Sequence, residues 1–171
     1  MNSQLINLMG AAAIAIADCI QTAAEETTGH TPSFPAALVI IHRYPLITVD
    51  LLGQYLQLSQ SGAARLVERL VQRQLVERRR GDDRRFVQLQ LTAAGHTLVE
   101  AIQQAKVDAI AHLLQPLTQP EQQKLLSLLT KLAENASNTE SVEEYICRFC
   151  DAQVCPLSAC QTRVQAWQKA F

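Results

Sequence analysis

ITVDLLGQYLQLSQSGAARLVERLVQRQLVERRRGDDRRFVQLQLT, residues 47–92, holds two short helical patterns, an arginine-dense segment and an alternating run, in that order. Thr48 is a good N-cap for a helix over Val49–Leu56, and after the break at Gln57-Leu58, Ser59 caps a second helix over Gln60–Gln72. On that second helix Ala63, Leu66, Val67 and Leu70 gather on one face, with Ser61, Ala64, Arg65, Glu68 and Gln72 opposite. Leu75–Arg79 and Phe86–Leu91 alternate like strands across a short Gly-Asp-Asp tip. The order predicts a helix, a turn, a helix and a two-stranded basic ribbon, which is a winged helix-turn-helix.

Composition sets the frame around this stretch. The chain has 171 residues, 48% hydrophobic and only 5% aromatic. It is long enough to bury one good core, and its richness in Ala, Leu, Gln and Val favours a mainly α fold. The net charge of −1 gives no warning of a nucleic-acid partner, but its distribution does. From Arg65 to Arg85, eight arginines face four acidic residues, a local balance of +4 on an otherwise mildly acidic body.

Before this stretch, residues 3–26 read as a helix with Leu5, Met9, Ala13, Ile16 and Ile20 in a stripe. Ile6, Leu8, Ile14 and Ala15 leave few faces polar, so a subunit interface is expected. No basic segment precedes this helix, and Asp18, Glu25 and Glu26 come too early for a spanning segment. The expectation is therefore no membrane and a cytoplasmic chain whose five cysteines are thiols or ligands. Ser33 is placed to cap a second helix, Phe34–Tyr44, stopped by Pro45. After the ribbon, Thr92 caps a long helix to about Leu114, with Leu98, Ile102, Ala105, Ala109 and Leu113 in a stripe and Gly95 at some local cost. Thr118 and Glu121 form a capping box for a last helix bearing Leu125, Leu128, Leu129 and Leu132. Residues 135–141 read as a polar linker.

A helix fits the DNA major groove and reads base edges from its N-terminal half. Gln60, Ser61 and Arg65 occupy that half, beside the capping Ser59. Arg65 suits a bidentate bond to guanine, Gln60 suits adenine, and Ser61 suits a base or a phosphate. Arg69 and Arg73 on the flanks suit phosphates, which position without specifying. The bland alternative is a solvated face in which Glu68 pairs with Arg65 or Gln72. The crowding of Arg78, Arg79, Arg80, Arg84 and Arg85 argues against it, because on a ribbon nothing internal offsets their repulsion and a polyanion would. Arg84 or Arg85 suits a narrow minor groove, with Asp83 placed to orient its neighbour.

These residues resemble the DNA-binding core of the MarR (multiple antibiotic resistance regulator) family. The matching pieces are R-L-V-E-R-L at Arg65–Leu70, L-V-E-R at Leu75–Arg78, D-x-R at Asp83–Arg85, and L-T-x-x-G at Leu91–Gly95. The resemblance is close over residues 47–95, and the helix order over 1–135 is similar. It implies a homodimer built by the first, fifth and sixth helices, a pseudopalindromic double-stranded operator, Arg85 in the minor groove, and regulation by an effector or by cysteine chemistry. The domains then read as 1–30 (N-terminal dimerisation helix), 31–92 (winged helix-turn-helix), 93–135 (C-terminal dimerisation helices) and 136–171 (Cys-rich tail). Three departures stand out: Gln74 where the family commonly has glycine, a short wing, and a tail beyond the family's usual end.

In that tail Cys147, Cys150, Cys155 and Cys160 are spaced C-x2-C-x4-C-x4-C. Four thiolates so close can form a tetrahedral shell for zinc, with an iron–sulfur cluster or metal-free thiols as alternatives. Phe149, Val154 and Leu157 are placed to shield such a site, and a metal there would fix the segment bearing Val164, Trp167 and Phe171 against the body. Cys19 reads as a buried inert thiol. The four histidines read as surface or capping residues, with His42 and His112 candidates to meet. Two other classes are weighed: a protein-assembly module without DNA, and a metal-dependent redox enzyme. No nucleophile elbow, phosphate loop or carboxylate pair supports an enzyme.

Overall fold

The computed structural model describes residues 2–80, 87–136, 147–151 and 154–155, with backbone alone at 135, 136 and 147. The elements are α1 (Ser3–Thr28), α2 (Ser33–Arg43), β1 (Ile47–Thr48), α3 (Val49–Tyr55), α4 (Gln60–Gln72), β2 (Val76–Arg80), β3 (Val87–Leu91), α5 (Ala93–Leu114) and α6 (Gln119–Ala136), with a 3-10 turn at Cys147–Phe149.

The caps explain most boundaries. Asn2 accepts from the Gln4 amide at α1, and Gly29 ends that helix in the left-handed region at φ 67°. Thr48 accepts from the Leu51 amide (3.3 Å), and Ser59 from the Gly62 amide (3.2 Å). At α6 the Thr118 amide and hydroxyl both donate to Glu121 Oε2. These two bonds hold the carboxyl below its ordinary value. The expected cap at Ser33 is corrected: Ser33 is the first helical residue, and the N-cap is Pro32, which makes no side-chain cap bond. The Phe34 amide donates instead to the Thr31 carbonyl (2.9 Å), and Pro35 in the first turn has no amide to satisfy.

The two-stranded ribbon is also corrected, because the sheet has three strands in the order β1-β3-β2. Ile47 pairs with Leu89 and Thr48 with Gln88, while Val76 to Arg80 pair with Leu91 to Val87. Two residues carry too little alternation to announce β1 in sequence. It forms because Ile47 and Leu89 are both fully buried and bring the strands together. The core joins these residues to Phe34, Leu38 and Ile41 of α2, Leu52 of α3, Val67 and Leu70 of α4, and Val99 and Ile102 of α5.

α1 runs along α5, and Cys19 Sγ meets the Ala109 carbonyl at 3.8 Å. Cys19 is half-buried there, which corrects the expectation of a buried thiol. Much of the α1 stripe stays outside, with Leu5, Ile6, Leu8, Met9, Ile14 and Ile16 between 42% and 65% exposed. On α6 Leu126, Leu128, Leu129 and Leu132 are exposed as well. By length and composition α1 is apolar enough to cross a membrane.

Candidate nucleic-acid interface

α4 has the stripe the sequence predicts: Ala63, Leu66, Val67 and Leu70 are buried, while Ser61, Ala64, Arg65, Glu68 and Gln72 are exposed. Two backbone features aim it. Gln57 takes a left-handed φ of 54°, and the Leu58 amide returns to the Gly53 carbonyl at 2.9 Å, closing the turn between α3 and α4. Gly53 lets the helices meet, since a Cβ there would stand 3.0 Å from that of Ala63. Ser59, Gln60 and Ser61 therefore open the helix at the surface, with the Ser59 and Ser61 hydroxyls 3.3 Å apart. Arg65 lies one turn further along the same exposed face.

Arg69 and Arg73 are held rather than loose. Their guanidinium carbons lie 5.6 and 6.0 Å from the centroid of the buried Phe34 ring. Arg69 donates from a terminal nitrogen to His30 Nδ1 at 3.2 Å, and the His30 ring tilts over Phe34 with centroids 4.2 Å apart. Arginine has only donors, so this bond needs a neutral His30 with its proton on Nε2. Partial burial, then Arg73, then Arg69 push the His30 pKa below its ordinary 6.5. The sequence reading treated His30 as a surface or capping residue. No local spacing signals the clamp, because the partners are 39 positions apart.

The end of α4, the root of the hairpin and the start of α5 form one latch. Gln74 turns the chain out of α4 with a left-handed φ of 58°, which explains why glycine suits that position. The Thr92 hydroxyl donates to the Gln74 carbonyl (2.7 Å) and accepts from the Gly95 amide (3.1 Å). A Cβ at residue 95 would stand 2.1 Å from the Leu75 carbonyl oxygen. Gly95 is therefore the residue that lets α5 reach the hairpin, and not merely a local cost. The L-T-x-x-G pattern is the sequence trace of this latch.

On the hairpin Arg78, Arg79 and Arg80 are exposed. Arg79 meets Glu77 on its own strand at 2.9 Å, which corrects the expectation that nothing internal offsets the arginines. Asp83, Arg84 and Arg85 lie outside the described residues.

His42 meets His96 edge-on, with centroids 5.5 Å apart, and not His112. Of the tail cysteines, Cys150 and Cys155 are half-buried, the backbone of Cys147 is in the 3-10 turn, and Cys160 lies outside the described residues. Leu157, Val164, Trp167 and Phe171 also lie outside them. Phe149 corrects the sequence reading: its ring is buried in the winged-helix core, and Val154 is 77% exposed. Among the described residues no three His, Cys, Asp or Glu side chains are grouped to hold a metal.

Residues 28–85, which include α2 to β2, match the model of the MarR family. This segment belongs to the MarR family. A similar curated relative is the uncharacterised HTH-type transcriptional regulator YhbI of Bacillus subtilis (strain 168), 39% identical over 103 residues, or 57% of this chain. The chain spans 66% of that relative's length. Among solved structures, wild-type MarR of E. coli in its apo form is 26% identical with a TM-score of 0.63, over 72% of this chain and 94% of that one. A MarR family protein from Bacillus stearothermophilus has a TM-score of 0.70 at 23% identity, over 81% and 99%. A mutant of S. aureus MepR bound to an oligodeoxyribonucleotide has a TM-score of 0.58 at 20% identity, over 77% and 97%.

Proposed function

We propose that this chain is a homodimeric, sequence-specific regulator of transcription that grips a pseudopalindromic double-stranded operator in the cytoplasm. The observation that carries this reading is the exposure of the N-terminus of α4, the clamped Arg69–Arg73 pair and Arg78 and Arg80 on the hairpin that follows it. Gln60, Ser61 and Arg65 read bases in the major groove, and Arg69 and Arg73 hold phosphates. Arg84 or Arg85, oriented by Asp83, enters the minor groove beyond the hairpin. The bare apolar faces of α1 and α6 support a second copy as the occupant of the helical end, because water is a poor partner for so much contiguous apolar surface. The relatives whose names state a role are transcription regulators, which supports regulation over an enzyme. The oligodeoxyribonucleotide bound by the MepR mutant supports DNA over a protein-assembly role.

The test is affinity for random and selected duplexes at several salt concentrations, with mass in solution measured by light scattering. A dimer whose binding weakens steeply with salt supports the reading, and a monomer indifferent to duplex overturns it.

For the tail, Cys147, Cys150, Cys155 and Cys160 form a zinc site, supported by their spacing and by the half-burial of Cys150 and Cys155. Metal analysis with an absorption spectrum after anaerobic purification tests this. One colourless zinc per chain supports it, a brown cluster replaces zinc by iron–sulfur, and metal-free protein removes it.

A further inference from the structure

Phe149 stands between two of the proposed ligands, two residues after Cys147 and one before Cys150. Its ring is nonetheless only 8% exposed and packs in the core cluster that holds Phe34, Leu38 and Ile41 of α2. One hydrogen bond ties the turn to the body, and its own arginine covers the ring. Lys106 of α5 donates from Nζ to the Phe149 carbonyl at 3.1 Å. The Arg148 guanidinium covers the Phe149 ring at 5.6 Å.

The turn thus docks on α2 and α5, the two helices that set the basic surface. α2 supplies the Phe34 shelf under Arg69 and Arg73, and α5 begins at the latch on the end of α4. A segment beyond the family match at 28–85 therefore completes the core of the DNA-reading domain.

The geometry points to Phe149 as a plug through which zinc loading of the cysteine segment stabilises α2 and the arginine face it supports. This inference rests on the zinc reading of the tail. Ligation at Cys147 and Cys150 fixes the backbone on both sides of the plug, so seating the ring costs less conformational entropy once the metal is bound. Linkage then runs both ways. The factor by which zinc favours the seated ring is the factor by which the seated ring favours zinc.

The experiment uses the full chain, stripped by a chelator and then titrated with zinc chloride. Hydrogen exchange of α2 amides is followed by mass spectrometry, and zinc affinity is measured against a competing chelator. In the unsubstituted chain zinc slows α2 exchange. In Phe149→Ala that slowing is lost, and zinc affinity falls by about 5- to 150-fold. Lys106→Met leaves the ring in place and removes the bond to the Phe149 carbonyl, along with one to Gln103 on its own helix, so it gives a smaller loss of the same kind and serves if Phe149→Ala fails to fold. Zinc bound equally well by all three chains, with α2 exchange unchanged, overturns the coupling and leaves the zinc site standing. No zinc bound by any chain removes the zinc site and the coupling together. Neither readout contains DNA, so a failure to bind duplex is scored separately, against the regulator reading alone.

Discussion

α4 and α1 are both helices with an apolar stripe, and they dispose of it in opposite ways. α4 buries Ala63, Leu66, Val67 and Leu70 within its own chain and leaves polar and basic side chains outside. α1 buries only Ala24 fully and leaves Leu5, Leu8, Met9 and Ile14 in solvent. A helix whose apolar face is already covered is free to spend its other face on a ligand, and its exposed arginines favour a polyanion. A helix whose apolar face is uncovered needs another protein surface. The contrast locates the two proposed partners, duplex at one end and a second copy at the other.

Substitutions that confuse the two ends test the contrast. The largest effect is expected from Leu8→Glu, which places a charge on the uncovered face of α1. In a two-fold interface the change counts twice, so about 4 kcal/mol is lost and the dimer dissociation constant rises about a thousandfold, read by light scattering on dilution. A dimer of unchanged strength would place the interface elsewhere. Next is Gly95→Ala, whose methyl would meet the Leu75 carbonyl at 2.1 Å. It is expected to cost about 3 kcal/mol in denaturant unfolding, with loss of duplex binding as the latch opens.

At the duplex end, Arg65→Ala is expected to cost roughly 1–3 kcal/mol on the preferred duplex and to relax sequence preference. Arg69→Ala should weaken all duplexes alike, because phosphates look the same everywhere. Equal losses on preferred and random duplex for both variants would contradict the division of labour along α4. Gln74→Gly should stabilise the fold by about 0.5–1 kcal/mol, since it relieves a left-handed φ at a small entropic cost in the unfolded chain.

The smallest effect is a pH dependence. Burial, then the neighbouring His96, push the His42 pKa below its ordinary 6.5, against the opposing pull of Asp151 and Glu100. The unfolded chain therefore takes up the proton more readily than the folded one. The stability contribution of neutral His42 is complete above 6.5 and is lost as pH falls toward its lower folded value. His30 acts with the same sign, so His42→Asn should flatten the decline in thermal midpoint only in part.

What the sequence made legible was local. Thr48, Ser59 and Thr92 cap the helices they were expected to cap, because an N-cap needs only a hydroxyl and an amide two or three residues on. The buried face of α4 followed from its spacing alone. The missed features are contacts between distant positions. β1 exists only through its pairing with β3, the His30–Arg69 clamp joins the end of α1 to α4, and the place of Gly95 is set by the Leu75 carbonyl. Phe149 was assigned to the cysteines beside it, when the cavity that takes its ring is built by α2, far earlier in the chain. Periodicity carries no information about such meetings.

The central claim is that the exposed arginines of α4 and the hairpin exist to neutralise phosphates. The most direct measurement is the affinity of the full chain for duplex DNA across a salt series. If two copies each place their basic surface on the backbone, affinity should fall about a thousandfold or more between about 50 and 200 mM salt, and the slope should shallow in Arg69→Ala. An affinity that barely responds to salt, or a slope unchanged by loss of Arg69, would contradict it.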